Sequence, residues 1–132
     1  MIVLTNPAAQ VVQPGQPVLF TQVAEKDACC PCVSPNGASV KLNKNTQHRI
    51  DFNANVSGDA NTQANLAIAL GGEAIPWTRM TATIDAATDV YNVGIGFPLK
   101  QCCCDFDRVS VINAGTTAVN VGAYPMLAID KR

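Results

Sequence analysis

From one end of the chain to the other, apolar and polar side chains alternate with a period of two. Between Arg49 and Val56 the even positions are Ile50, Phe52, Ala54 and Val56, and the odd ones are charged or amide. Successive side chains of a strand point to opposite faces, so this pattern describes a strand with one face in a core and the other in water. Residues 90–98 place Tyr91, Val93, Ile95 and Phe97 on one face. The opposite face carries Asn92, Gly94 and Gly96, where another backbone can approach closely. In Ala64–Leu70 large groups fall at even positions with small ones between. Residues 17–23, 39–42, 108–113, 117–121 and 126–129 also read as strands. Turn-forming pairs and triplets separate these runs: Pro14-Gly15, Pro35-Asn36-Gly37, Ser57-Gly58-Asp59, Gly71-Gly72 and Asn113-Ala114-Gly115.

No segment keeps a helical period. The Ala-rich stretches 60–69 and 82–87 are interrupted by Gly, Thr and Asn. About eight to ten short strands with frequent turns imply an all-β, antiparallel two-layer sandwich or a barrel. At 132 residues the chain holds one such core. Residues 1–16, with Pro7 and Pro14 blocking helix, are expected to form an extended N-terminal arm. Residues 17–132 are expected to form the domain.

Composition excludes several partners. Charged residues make up 14% of the chain and the net charge is −1, so no basic patch neutralises phosphates and nucleic acid is not an expected partner. No apolar run is long enough to span a membrane. The N-terminus shows neither the basic flank nor the apolar stretch of a secretion signal, so synthesis in a host cytoplasm is expected.

Six cysteines form two clusters: Cys29, Cys30 and Cys32, and Cys102, Cys103 and Cys104. Three readings stay open. The clusters can form disulfides across loops or between subunits, bind a metal as thiolates, or pack as free thiols. Only Cys29 and Cys32 stand at the C-x₂-C spacing that aims two sulfurs at one zinc ion, and the second cluster has no such pair, which favours disulfides over metal. Six cysteines allow about fifteen complete pairings, and the sequence does not choose among them.

No catalytic constellation is evident, and neither an enzymatic activity nor a cofactor is expected. His48, the single histidine, begins a strand and reads as a turn or surface residue. Asp85, Asp89, Asp105 and Asp107 fall in turns. Asp105 and Asp107 can contribute oxygens to a calcium site, although solvated loop residues are the simpler reading. No helix follows Gly71-Gly72, so the pair is a turn and not a phosphate loop. Trp77, the only tryptophan, stands after Ile75-Pro76 in a loop and is a candidate contact residue or a lid over one end of the sandwich. Tyr91, Phe97 and Tyr124 are further interface candidates, with core packing the default for the first two.

Three segments carry a resemblance. They are His48–Gly58 (HRIDFNANVSG), Leu66–Gly72 (LAIALGG) and Asp107–Asn113 (DRVSVIN), the last followed by a short strand and a final one at 125–130. In order and texture, residues 17–131 resemble the TNF/C1q-like jelly roll. The chain departs from that pattern at Cys102–Phe106, which replaces a tight Gly-Asp turn, and it has no collagen-like stalk. Stand-alone versions of the domain are similar to subunits that decorate phage heads. The resemblance implies a homotrimer acting as a virion structural protein, a capsid decoration or head-fibre subunit at the virion surface. Its partners would be copies of itself and a major capsid or other virion protein, reached through the N-terminal arm. Two alternatives are a disulfide-linked spore or cell-surface appendage subunit and a glycan- or receptor-binding module.

Overall fold

The computed structural model describes residues 2–26, 32–33, 37–42, 47–100 and 108–131. Its strands are β1 (Ile2–Thr5), β2 (Gln10–Val12), β3 (Gln22–Lys26), β4 (Cys32–Val33), β5 (Val40–Lys41), β6 (Gln47–Ser57), β7 (Thr62–Leu70), β8 (Glu73–Ala74), β9 (Met80–Ile84), β10 (Tyr91–Lys100), β11 (Arg108–Asn113), β12 (Val119–Val121) and β13 (Met126–Lys131). They form two antiparallel sheets. The first runs β2-β12-β6-β13-β1-β3, with β10 on the other side of β6. The second runs β4-β5-β11-β7-β8, with β9 also paired to β7.

Alternation in β6 drives the packing. Its residues at positions 48, 50, 52, 54 and 56 are buried while those at 53 and 55 are exposed. The register turns this periodicity into cross-strand rows. Ile2, Ile129, Ile50 and Phe97 lie side by side across four strands, and Leu4, Leu127, Phe52 and Ile95 form the next row. Opposing them, the second sheet presents Val40, Val109 and Leu70, then Val111 with Ile68, then Leu66 with Met80. Most of these side chains are fully buried. Each buried aliphatic side chain contributes roughly 1.5–3 kcal/mol.

The expected arm over residues 1–16 is corrected. Residues 2–5 lie inside the first sheet between β13 and β3, and residues 10–12 pair with β12. The sequence Ile2-Val3-Leu4-Thr5 alternates like the other strands, and Ile2 and Leu4 are buried in the core. A free arm would expose both. The strand expected over 17–23 begins later, at Gln22. Pro17 has no N–H for a ladder and makes only an isolated bridge to Ile112. Gly15 and Val18 still donate main-chain hydrogen bonds to Asn113 and Val111, at 2.9 and 2.7 Å, extending the edge of β11 past the end of β5.

His48 is also corrected. It is completely buried, opposite Leu99 and Lys131, and not a surface residue. The same period that buries Ile50 places position 48 on the core face. Gly71 and Gly72 form the tip of the β7–β8 hairpin with φ of 64° and 85°. Two successive positive φ values match a type I′ turn, the hairpin type whose twist fits the flanking strands.

One buried polar side chain ties several segments together. Asn113 Nδ2 donates to the carbonyls of Val12 (2.9 Å) and Thr117 (2.8 Å), while its Oδ1 accepts from the Gly115 N–H (2.9 Å). Asn113→Ala leaves all three main-chain groups short of a partner. It is expected to lower the unfolding free energy by roughly 2–3 kcal/mol, read from the midpoint of denaturant unfolding.

Candidate assembly surface

β7 has unequal partners along one edge. It pairs with β9 over residues 62–66 and with β8 over residues 69–70. In the gap, the chain makes a single 3-10 turn over Pro76–Thr78. Thr78 is completely buried and substitutes for the missing ladder partner. Its Oγ1 accepts from the Ile68 N–H (3.0 Å) and donates to the Ile75 carbonyl (2.7 Å). The Ile68 carbonyl accepts from the Ile75 N–H at 2.8 Å. Pro76 opens the turn with its fixed φ and no N–H to satisfy.

Trp77 is held at the apex of this turn and remains 64% exposed. The edge of one ring meets the face of the other where Trp77 touches Phe97, with centroids 5.0 Å apart and planes at 84°. Such pairs add about 0.5–1.5 kcal/mol beyond the area they bury. Phe97 lies on β10, whose only strand partner among the described residues is β6. Trp77 therefore spans from the second sheet to the outermost strand of the first and covers the side of the sandwich there.

A second feature occupies the outward face of the first sheet. Gly94 and Gly96 were expected to admit another backbone, but side chains of β6 take that space. A Cβ at position 96 would collide with the Asp51 carboxylate and the Arg49 guanidinium. One at position 94 would press on the Phe52 carbonyl and the Asn53 amide. Arg49 and Asp51 pair across 3.5 Å. Asn92 Nδ2 donates to Asn53 Oδ1 (2.8 Å) and Asn55 Oδ1 (3.1 Å). The result is a polar surface with a shallow, open depression over Asp51, Asn53, Asn92, Gly94 and Gly96.

At its margin stand Met126, 41% exposed opposite Asn53, and Tyr124, 68% exposed. Residues 122–125 form a bulge, since β6 supplies only Asn55 and Ala54 over the same interval. Gly122 donates to the Asn55 carbonyl (2.8 Å) and Tyr124 to the Asn6 carbonyl (2.7 Å). Tyr124 has φ of 63°, a left-handed conformation that costs a residue with a side chain roughly 1–2 kcal/mol.

Of the four aromatic candidates, Trp77 and Phe97 are brought together. Tyr124 sits apart, in the bulge between β12 and β13. Tyr91 is half-buried, its hydroxyl 3.3 Å from Asp89 Oδ2 and 3.5 Å from the Asp85 nitrogen, closing the 85–90 turn. Cys29, Cys30, Cys102, Cys103 and Cys104 lie outside the described residues, as do Asp105 and Asp107, and Cys32 is described by its backbone alone. The disulfide and thiolate expectations fall there. Sequence reading missed Thr78 and Met126. A hydroxyl directly after Pro-Trp was the available signal for Thr78.

No protein-family model and no curated protein matches the sequence. Solved structures do. The chain is similar to the globular domain of a zebrafish complement 1qA protein, at 13% identity over 95% of this chain and 93% of that one, with a TM-score of 0.62. It is similar to the Eiger TNF of S. frugiperda, at 11% identity over 98% and 90%, with a TM-score of 0.69. Murine APRIL at pH 5.0 matches at 10% identity over 98% and 96%, with a TM-score of 0.63. The fold is a TNF/C1q-like jelly roll, and at these identities the likeness concerns the fold alone.

The Thr78 linkage is testable. Thr78→Val keeps the shape and leaves the Ile68 N–H without its acceptor, which is expected to destabilise by about 1–3 kcal/mol and to loosen Trp77. Thr78→Ser keeps the bond. Denaturant unfolding and tryptophan fluorescence anisotropy should separate the two variants, with Val lower in both.

Proposed function

We propose that this chain is a self-assembling structural subunit, forming a homotrimer displayed at a virion surface as a capsid decoration or head-fibre protein. The observation that carries the assembly reading is Trp77, kept largely in solvent by a purpose-built turn and backed by Phe97. Covering the rest of its surface contributes roughly 3 kcal/mol per contact, typical of an interface hot spot. The second apolar feature, Tyr124 with Met126, lies on a different part of the molecule. Two unlike patches on one chain favour a head-to-tail contact, which closes into a ring when the rotation permits. The resemblance to TNF/C1q-like domains favours three copies.

Among the described residues the exposed groups are amides and apolar side chains more than nucleophiles or bases, which suits a structural role. The virion setting rests on likeness to stand-alone jelly rolls of phage heads, an analogy of fold. Attachment to a capsid or other virion protein would use a surface of the folded domain, because residues 2–5 and 10–12 are already committed to the first sheet.

Light scattering coupled to size exclusion tests the assembly. A trimer is expected for the parent chain, and Trp77→Ser is expected to weaken association by about a hundredfold. A parent chain that stays monomeric at high concentration, or a Trp77→Ser trimer as tight as the parent, would overturn it. Mass spectrometry and imaging of purified particles then report whether the chain sits on a virion.

A further inference from the structure

Two cross-strand rows on the outward face of the first sheet are built from unusually small groups. One is Gly96, Asp51 and Ala128, and the next is Gly94, Asn53 and Met126. Nothing projects from β10 at positions 94 and 96, so the Asp51 and Asn53 side chains lie over its bare backbone. Ala128 adds only a methyl group on the far side of Asp51. The sheet is therefore hollowed into the open depression over Asp51 and Asn53, ≈ 680 Å³ in volume. Asn92 holds the Asn53 oxygen at 2.8 Å and fixes one wall, and the exposed Met126 thioether forms another.

Two polar groups on the molecule lack the partner that the other could supply. Asp51 accepts only a long contact from Arg49, 3.5 Å, through one oxygen, which leaves its second oxygen open above Gly96. The Trp77 indole N–H donates to nothing among the described residues, and its ring touches only Phe97. An aromatic ring that a partner covers needs an acceptor at its N–H. The two groups do not meet within one chain. Phe97 is buried on the core side of β10, and Trp77 packs against it there. Gly94 and Gly96 alternate to the opposite side of the same strand, where the depression opens.

We infer that Trp77 of one copy seats in the Gly94–Gly96 depression of the next, with its indole N–H on Asp51 and its ring against Met126. The inference rests on the assembly reading and names the surface that receives Trp77. Sulfur beside an aromatic ring is a favourable contact, and the Arg49 guanidinium over Gly96 offers a cation to the ring face. The acidic side chain in the depression is already matched by Arg49, so covering it strands no lone charge. Plug and socket sit on different faces of one chain, so every copy uses both. Such a head-to-tail contact closes into a ring when the rotation permits.

Association is read by light scattering coupled to size exclusion. The burial of Trp77 is read from its own fluorescence, since it is the only tryptophan. Ala128→Lys sets a long side chain in the depression from a position that faces away from the core. It is expected to weaken association by about a hundredfold and to shift the emission to the red, with circular dichroism unchanged. Glu73→Lys, on the β7–β8 hairpin of the other sheet, should do neither. Trp77→p-benzoylphenylalanine, irradiated in an equal mixture of isotopically light and heavy chains, should cross-link position 77 of one copy to β10 or β13 of another. A parent trimer whose cross-links fall on other strands overturns this assignment and leaves the assembly reading standing. So does an Ala128→Lys chain that associates as tightly as the parent. A parent chain that stays monomeric overturns both.

Discussion

Strand β6 has hydrogen-bonded neighbours on both sides for nearly its whole length. β10 pairs with it from Gln47 to Val56, and β13 and then β12 occupy the other side. The side-chain period is two, so a slip of one residue would expose Ile50, Phe52, Ala54 and Val56 together and bury Asn53 and Asn55. That penalty fixes the register of three neighbouring strands at once. It also sets where the rest of the surface points. The polar face of Asp51, Asn53 and Asn55 is the reverse side of the row that holds Phe52, and Phe97 reaches Trp77 because it pairs with Ile50.

Alternation made β6, β10, β11 and β13 legible because a half-buried strand writes its two faces directly into the sequence. The failures had local causes. The four residues of β1 are too few to distinguish from an arm, and their burial depends on β13, which is remote in sequence. A polar type at His48 outweighed its inward parity. Gly94 and Gly96 announced a close approach, but only the folded register shows that Asp51 and Asn53 make it. The role of Thr78 depends on a gap between β8 and β9 that no one-dimensional pattern contains. The cysteine clusters, the most conspicuous feature of the sequence, fall almost wholly outside the described residues.

Both prominent exposed aromatics stand where regular pairing breaks. Trp77 occupies a turn inserted between two strands, and Tyr124 occupies a bulge between β12 and β13. Each break stays ordered because main-chain or hydroxyl hydrogen bonds replace the lost ladder: Thr78 at the first, the Asn6 and Asn55 carbonyls at the second. A side chain held this way loses little rotational freedom when a partner covers it. That lowers the entropic opposition to association.

The pairing of Ile2 with Ile129 has a consequence for biosynthesis. Two strands remote from each other in sequence, β1 and β13, are nearest neighbours in the same sheet. While the chain is still emerging from a ribosome, β1 lacks its principal partner and β6 lacks half of one side. The first sheet cannot close until β13 clears the exit tunnel, so its apolar surface stays uncovered in the interval.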